Sequence, residues 1–125
     1  MGEPIQSFKE LRVYQIACDL DQQIFLETKA WPREEKYSLV DQIRRSSRAI
    51  GANLAESWAK RRYPAHFLSK LTDADGELQE TLHWLASARA CGYLPDADHQ
   101  AMVDTLAQVG RLLGSMINRH ESFCY

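Results

Sequence analysis

Residues 40–58 read VDQIRRSSRAIGANLAESW, and this stretch decides the fold. Its apolar side chains recur every three or four residues, the period that brings side chains to one face of an α-helix. The members of this face are Val40, Ile43, Ile50, Leu54 and Trp58. Acidic residues precede the stretch and basic residues follow it, an order that favours a helix because it complements the helix dipole. We therefore predict a helix over about residues 34–62.

A strip of small residues, Ser47, Gly51 and Ala55, lies beside that apolar face. Glycine inside a helix costs about 1 kcal/mol relative to alanine, so Gly51 needs a structural reason. Small side chains allow a neighbouring helix to approach closely, and we expect such a contact here.

Three further amphipathic segments flank this helix, at about residues 8–30, 65–91 and 96–118. No segment has the alternating pattern of a strand. Four helices of this length with short breaks predict an antiparallel, up-down-up-down four-helix bundle. We expect one all-α domain over residues 1–125, with residues 120–125 as a frayed tail.

The breaks between the segments carry recognisable signals. Ser7 and Glu10 form a capping-box pattern, which marks a helix start because each side chain satisfies a free backbone N–H. Pro32 ends the first helix, since proline disfavours helical geometry in the residue before it. Pro64 suits a first turn, and Gly92 suits the left-handed residue that follows a helix.

The first helix carries a second apolar stripe about 120° around from its main one. Its members are Leu11, Tyr14, Cys18 and Phe25. An isolated bundle needs only one wide apolar face on each helix. We therefore predict that this second stripe contributes to a subunit interface in a homo-oligomer.

Charge is unevenly distributed along the chain. The formal net charge is −2, which excludes a protein that is basic throughout, but residues 33–62 carry a net +4. Two interpretations remain open for the basic side chains of this zone. They are a solvated face paired with carboxylates of helix 3 or another subunit, or a patch that binds phosphate or an acidic partner. The side chains concerned are Arg44, Arg45, Arg48, Lys60, Arg61 and Arg62.

A second polar group lies on the same helix and consists of Gln42, Ser46, Asn53 and Glu56. Hydrogen bonds between helices, or between subunits, are the first interpretation, because buried polar groups need partners. A ligand pocket is the alternative.

The sequence offers little that indicates catalysis. Glu80 and His83 form one Glu-x-x-His motif, whereas a di-iron site in a bundle needs two such motifs and two further glutamates. Cys18, Cys91 and Cys124 are far apart and form no CxxC pair, which argues against a zinc site and a disulfide framework. We predict no metal, no cofactor and no enzymatic activity.

The N-terminal residues do not follow the pattern of a signal peptide. No stretch approaches the roughly 20 apolar residues that cross a bilayer. We therefore expect a cytoplasmic protein.

Three stretches resemble one protein family. They are FxxLxVYQxAxxL at residues 8–20, QIRRSSRAIGANLAE at 42–56 and ETxxWLxxAxxCGYL at 80–94. The family consists of small bacterial four-helix bundle proteins encoded in intervening sequences of large-subunit ribosomal RNA genes. The chain departs from its pattern at Ser46, where alanine is usual, and at Glu77, where serine is usual. It also has Ala49 where serine is usual and Ser57 where glycine is usual.

The resemblance implies a four-helix bundle that assembles into a ring-like homopentamer, and it implies no established enzymatic activity. A related accessory protein of diversity-generating retroelements binds a reverse transcriptase and nucleic acid through a basic surface. Our leading hypothesis is a non-enzymatic, self-associating scaffold or adaptor. The alternative is a nucleic-acid-associated accessory factor that binds RNA, DNA or a reverse transcriptase through the basic surface of helix 2.

Overall fold

The computed structural model describes residues 4–125 and contains four α-helices with no strand in that range. The helices are α1 (Arg12–Thr28), α2 (Leu39–Ala59), α3 (Pro64–Ala90) and α4 (Asp96–Asn118). Short 3-10 turns lie at Phe8–Glu10, Arg33–Glu35 and His120–Phe123. Each helix contacts two others, α1 with α2 and α4, and α3 with α2 and α4. The four-helix bundle predicted from the sequence is confirmed.

Cross-helix contacts give the direction of the chain in successive helices. Between α2 and α3, the hydroxyls of Ser46 and Thr81 are hydrogen bonded at 2.9 Å, while Glu56 pairs with Lys70 at 2.7 Å. Residue numbers therefore rise along α2 as they fall along α3, which is an antiparallel packing. The pairs Thr28 with Arg44 and Cys18 with Gly51 show the same order between α1 and α2.

One apolar core runs along the bundle axis. Every helix contributes residues at three- and four-residue spacing, which is the pattern that a bundle core requires. The largest fully buried apolar side chains are Leu20, Ile24, Ile43, Ile50, Leu54, Phe67, Leu71, Leu85, Leu106, Val109 and Leu113. Within residues 4–125, none of the helices combines the length and the apolar character needed to cross a membrane.

The first helix begins at Arg12, later than the expected start near residue 8. The capping box of Ser7 and Glu10 does form, but it caps the 3-10 turn of Phe8–Glu10 rather than α1. Leu11 follows in extended conformation, with φ −67° and ψ 125°, and separates the turn from the helix. The local signal therefore marks the start of a 3-10 turn, while α1 itself starts about one turn later than predicted.

The second helix begins at Leu39 rather than near residue 34. Residues Arg33–Glu35 form a 3-10 turn, and Ser38 leaves helical geometry with φ −124° and ψ −100°. The Ser38 hydroxyl donates to the Glu35 carboxylate at 2.6 Å, within the turn that precedes α2. As a result, Tyr37 lies outside the helix and is 86% exposed.

The ends of α3 follow the sequence signals, whereas the C-terminal tail does not. Pro64 occupies the first turn of α3, and Gly92 has a φ of 79° just after its end. The tail is not frayed as expected. The Phe123 ring packs 6.0 Å from Phe67 and 6.4 Å from Trp58, so apolar burial holds it against the bundle.

Candidate functional site

The six basic residues singled out on helix 2 do not form one surface. Lys60, Arg61 and Arg62 follow the end of α2, at least 12 positions beyond Arg48, which is about 18 Å along a helix axis. Arg61 donates from Nε to the Trp58 carbonyl at 3.0 Å and lies 3.8 Å above the Trp58 ring. Arg61 therefore packs against the C-terminal end of α2.

Arg45 is an ion-pair partner of α3. Its guanidinium contacts both carboxylate oxygens of Glu80, at 2.6 and 2.7 Å, and approaches Glu77 at 3.4 Å. The hydrogen bond from Arg45 lowers the pKa of Glu80, whereas burial raises the pKa of Glu77. For Arg45, the structure thus shows the pairing with helix 3 that was one of the two interpretations.

Arg44 points the other way, towards the C-terminal end of α1. Its Nε donates to the Thr28 hydroxyl at 2.8 Å, and Nη2 lies 3.4 Å from the Phe25 carbonyl. Both acceptors are neutral. The contacts satisfy groups at a helix C-terminus, where a cation is favoured by the dipole, but they leave the positive charge of Arg44 without a carboxylate.

Three cations converge on one aromatic ring at this corner. The Phe25 ring has the guanidinium carbon of Arg44 at 4.6 Å, that of Arg48 at 5.4 Å and the Lys29 ammonium at 4.8 Å. The face of an aromatic ring attracts cations, and this attraction is what offsets their mutual repulsion. Phe25 therefore acts as a platform that holds positive charge.

Two further cations extend this region along the connection between α1 and α2. An open groove lined by Arg33, Lys36 and Arg44 adjoins the platform. We call the set Lys29, Arg33, Lys36, Arg44 and Arg48 the basic corner. Sequence reasoning left Lys29, Arg33 and Lys36 out of the candidate set because no local signal links them to Arg44 and Arg48. The geometry of the connection between α1 and α2 brings them beside α2.

The basic corner has no ion pair of its own. Within residues 4–125, ion pairs are made by Arg45, Lys70 and Arg89, and by no member of the corner. Asp21 is the nearby carboxylate whose field reaches Arg48, yet it lies beyond ion-pair distance. Burial raises the pKa of Asp21, with the positive charge of Arg48 opposing the shift. The corner is therefore a concentration of positive charge whose members form no ion pair in the described residues.

The second stripe of helix 1 is covered within the chain. Leu11 is buried in the core, and the Tyr14 ring and the Cys18 thiol lie 3.5 and 3.4 Å from the Cβ position at Gly51. The small-residue strip of α2 thus receives α1, as expected. Phe25, the fourth member, carries the cations of the basic corner. The stripe therefore has partners inside one subunit, but Tyr14, Cys18 and Phe25 remain partly exposed, and its part in a subunit interface stays a prediction.

The four polar residues singled out on helix 2 differ in whether they bond to another helix. Ser46 is fully buried and accepts from Thr81 of α3, and Glu56 bridges to Lys70 of α3. Asn53 instead donates to the Ala49 carbonyl of its own helix at 2.9 Å, so it joins no helices within the chain. Gln42 is half-buried and lines a shallow groove on the α2–α3 side of the bundle.

The Glu-x-x-His motif does not assemble with other ligands. Glu80 is engaged by Arg45, and His83 is exposed with its ring 4.8 Å from that of Trp84. Across residues 4–125, no cluster of three or more metal-ligating side chains is present.

The outer face of α3 differs from the other helix surfaces. Eight exposed positions at alternating spacings of four and three residues contain no Asp, Glu, Lys or Arg. They are Ala65, Ser69, Thr72, Gly76, Gln79, His83, Ala86 and Ala90. Nothing lies within 4 Å of the Cβ position at Gly76, so no contact inside the described chain requires glycine there. We call these eight residues the neutral face.

Comparisons with known proteins agree with this architecture. A crystal structure of a protein with unknown function from the S23 ribosomal protein family of Bacteroides thetaiotaomicron has the same fold, with a TM-score of 0.75 and 24% sequence identity. The match covers 85% of this chain and 95% of that chain. No match was found among curated protein sequences. The profile of the 23S rRNA-intervening sequence protein family matches residues 9–115, and the chain belongs to that family.

Proposed function

We propose that this protein is a non-enzymatic scaffold or adaptor that self-associates through the neutral face of α3. The observation that carries the proposal is the absence of charge from that face, since 26% of the chain is Asp, Glu, Lys or Arg. Exposed charged side chains occur on the other helices, for example Asp19 on α1, Arg48 on α2 and Asp104 on α4. On α3 the exposed Asp73 and Arg89 lie outside the neutral face. Depletion of charge distinguishes the core of a protein interface from the rest of a surface.

The spacing of the neutral face supports a helix partner. Its eight positions follow a seven-residue repeat over 25 residues, about 38 Å of helix, which is the geometry of a helix–helix seam. Gly76 stands near the middle of this face, where an exposed glycine costs about 1 kcal/mol relative to alanine. Close approach of a second copy at Gly76 would explain why a glycine stands there, which no contact within the described chain explains.

The state of the thiols supports a non-catalytic role. Burial raises the pKa of Cys18 and of Cys124, which keeps both thiols protonated and weakly nucleophilic. Cys18, Cys91 and Cys124 are all unpaired, in keeping with the cytoplasmic location that forms part of the proposal. The family resemblance sets the expected assembly at five subunits.

The test is light scattering coupled to size-exclusion chromatography at tens of micromolar protein. We expect a mass about five times the chain mass of 14.3 kDa. Replacing Thr72 and Gln79 by Lys should dissociate the assembly, because two lysines would be buried in the interface without carboxylate partners. The matched control places Lys at Ala107 and Ser115, two exposed positions of α4.

Circular dichroism should show that both double variants remain helical. A monomeric wild-type protein would refute self-association. An assembly that survives the α3 substitutions, or that the α4 substitutions disrupt equally, would refute the assignment of the neutral face.

A further inference from the structure

Two connected grooves run across the basic corner. The larger, of about 630 Å³, is lined by the apolar residues Val40 and Ala52 and by cations that include Lys36 and Arg48. The smaller, of about 320 Å³, continues towards the end of α1 and shares Lys36, Val40 and Arg44 with the first. Positive charge therefore lines a continuous, open surface rather than a single point.

An exposed aromatic ring stands at the edge of this surface. Tyr37 lines the larger groove and is 86% exposed, the highest value among the exposed large apolar side chains of the described residues. The Lys36 ammonium lies 5.3 Å from the centre of its ring. An exposed ring that is flanked by cations provides a flat face for stacking and charges for phosphates in the same place.

Two of these cations are held in position before any ligand arrives. Arg44 is fixed by Thr28 and by the Phe25 carbonyl, and Arg44 and Arg48 share the Phe25 ring. From these ring distances, the two guanidinium carbons lie within about 10 Å of one another. Preorganised charges lose little conformational entropy on binding, and they gain most from an anion because none of them has a carboxylate partner.

We infer that the basic corner binds single-stranded nucleic acid, with backbone phosphates on Lys36, Arg44 and Arg48 and a base stacked on Tyr37. Guanidinium groups match phosphate geometry, and an aromatic side chain accepts the face of any base, so the binding is independent of sequence. The corner lies within one chain, and the inference holds whether or not the neutral face assembles copies.

The net charge of −2 does not oppose this binding. Charges are screened over about 8 Å at physiological ionic strength, so a bound strand responds to the corner and not to the acidic residues on distant helices. The carboxylate that lines the larger groove is Asp41, and it is outnumbered there by Lys36, Arg44 and Arg48. Arg45 also lines this groove, but its charge is neutralised by Glu77 and Glu80.

The stacking ring favours a single strand over two other polyanions. In duplex nucleic acid the base faces are stacked on one another and are not available to Tyr37. An acidic peptide offers carboxylates but no flat partner for the ring. A single strand offers phosphates to the cations and unstacked bases to Tyr37, so it can contact both parts of the surface.

The experiment measures fluorescence anisotropy of a short labelled oligothymidylate and oligouridylate as salt is raised from about 50 mM. The corner variant replaces Lys36 and Arg48 by Gln. Its matched control replaces Lys60 and Arg62 by Gln, two exposed cations that follow the other end of α2. Both variants lose the same charge, and thermal melting checks that both are folded.

We expect wild-type binding at low salt that fades as salt rises, because counterions are released from the strand. The corner variant should bind about tenfold more weakly and lower the salt slope by roughly 1.4, or about 0.7 for each lost phosphate contact. The control should change affinity by less than about twofold. Tyr37→Ala should weaken binding about fivefold or more with an unchanged salt slope, since stacking is not a counterion effect.

Three results would overturn the inference. The first is no binding at about 50 mM salt, and the second is an equal loss in the corner variant and its control. The third is binding to a duplex or to polyglutamate as tight as to the single strand, which would assign the corner to a different polyanion.

Discussion

Arg44 and Arg45 are adjacent in the sequence, yet they belong to regions with opposite electrostatics. Arg45 meets two carboxylates on the α2–α3 side of the bundle, with Glu80 at 2.6 Å. Arg44 meets only neutral oxygens on the α1–α2 side, where Lys29 and Arg48 join it above the Phe25 ring. Successive residues of a helix point about 100° apart, and that rotation is enough to place one arginine in each region.

The comparison shows that the number of basic residues on a helix does not measure its capacity to bind an anion. The α2–α3 side also carries the buried Ser46–Thr81 bond and the Glu56–Lys70 pair, so its polar groups are satisfied within the chain. In the basic corner, Arg44 and Arg48 are held by neutral oxygens and by the Phe25 ring, so their charges remain available to an anion from outside the chain. Substitutions of the same kind on the two sides should therefore have different effects.

The largest difference is expected from charge reversal. Arg45→Glu should lower the free energy of unfolding by about 1–2 kcal/mol, because it removes the attraction to Glu77 and Glu80 and adds repulsion. Arg48→Glu should change it by less than about 0.5 kcal/mol, because it relieves repulsion between cations while losing one ring contact. Urea denaturation at neutral pH and low salt measures both, and equal losses would contradict the distinction between the two sides.

A smaller effect is expected from the buried hydroxyl pair of the α2–α3 side. Thr81→Val should cost about 1 kcal/mol, since it leaves Ser46 with only a long bond to the Ile43 carbonyl at 3.4 Å. The double variant with Ser46→Ala should recover part of that loss, because removing both partners leaves no buried group unsatisfied. Strictly additive losses in the double-mutant cycle would show that the two hydroxyls are not coupled.

The smallest effect is expected from Asp21, the carboxylate beside the basic corner. Its folded-state pKa is raised above the ordinary value of 3.8, mainly by burial, so the ionised form is less stable in the folded protein. Folding is therefore penalised as pH rises above that value, and Asp21→Asn should raise the melting temperature slightly at neutral pH. The gain should disappear below pH 3.8, where the carboxyl of Asp21 is mostly protonated in both the folded and the unfolded protein.

The substitution Asp21→Asn also tests nucleic-acid binding at the basic corner. Asp21→Asn removes the negative charge whose field reaches Arg48, so it should strengthen oligothymidylate binding at low salt. A lower melting temperature at neutral pH, or weaker binding, would contradict this account of Asp21.

Most of the fold could be predicted from the sequence because helices are local. The face of Val40, Ile43 and Ile50 repeats within a few turns, and Pro64 and Gly92 act on their own neighbours. The start of α2 was misplaced because no glycine or proline marks the non-helical backbone of Ser38 in the sequence. The packed tail was missed because the partner of Phe123 is Phe67, 56 residues away in the sequence.

The site was predicted less well, since its residues depend on neighbours that a single helix does not reveal. The sequence placed Arg44 and Arg48 in one basic set with Arg45, and placed Phe25 in an apolar stripe. Ion pairs with α3 separate Arg45 from that set, whereas contacts between α1 and α2 place Arg44 and Arg48 against the Phe25 ring. Lys36 belongs to the site because the turn that precedes α2 places it beside Arg44 and Arg48.

By itself the sequence determined four amphipathic helices, their order and the apolar face that each one buries, because hydrophobic periodicity and turn residues act over a few positions. Only the tertiary structure decided which charges are neutralised. Pairing depends on which helix lies opposite each side chain, so Arg45 is paired because Glu80 of α3 faces it. Arg44 stays unpaired because α1 presents Thr28 and a carbonyl at the equivalent place.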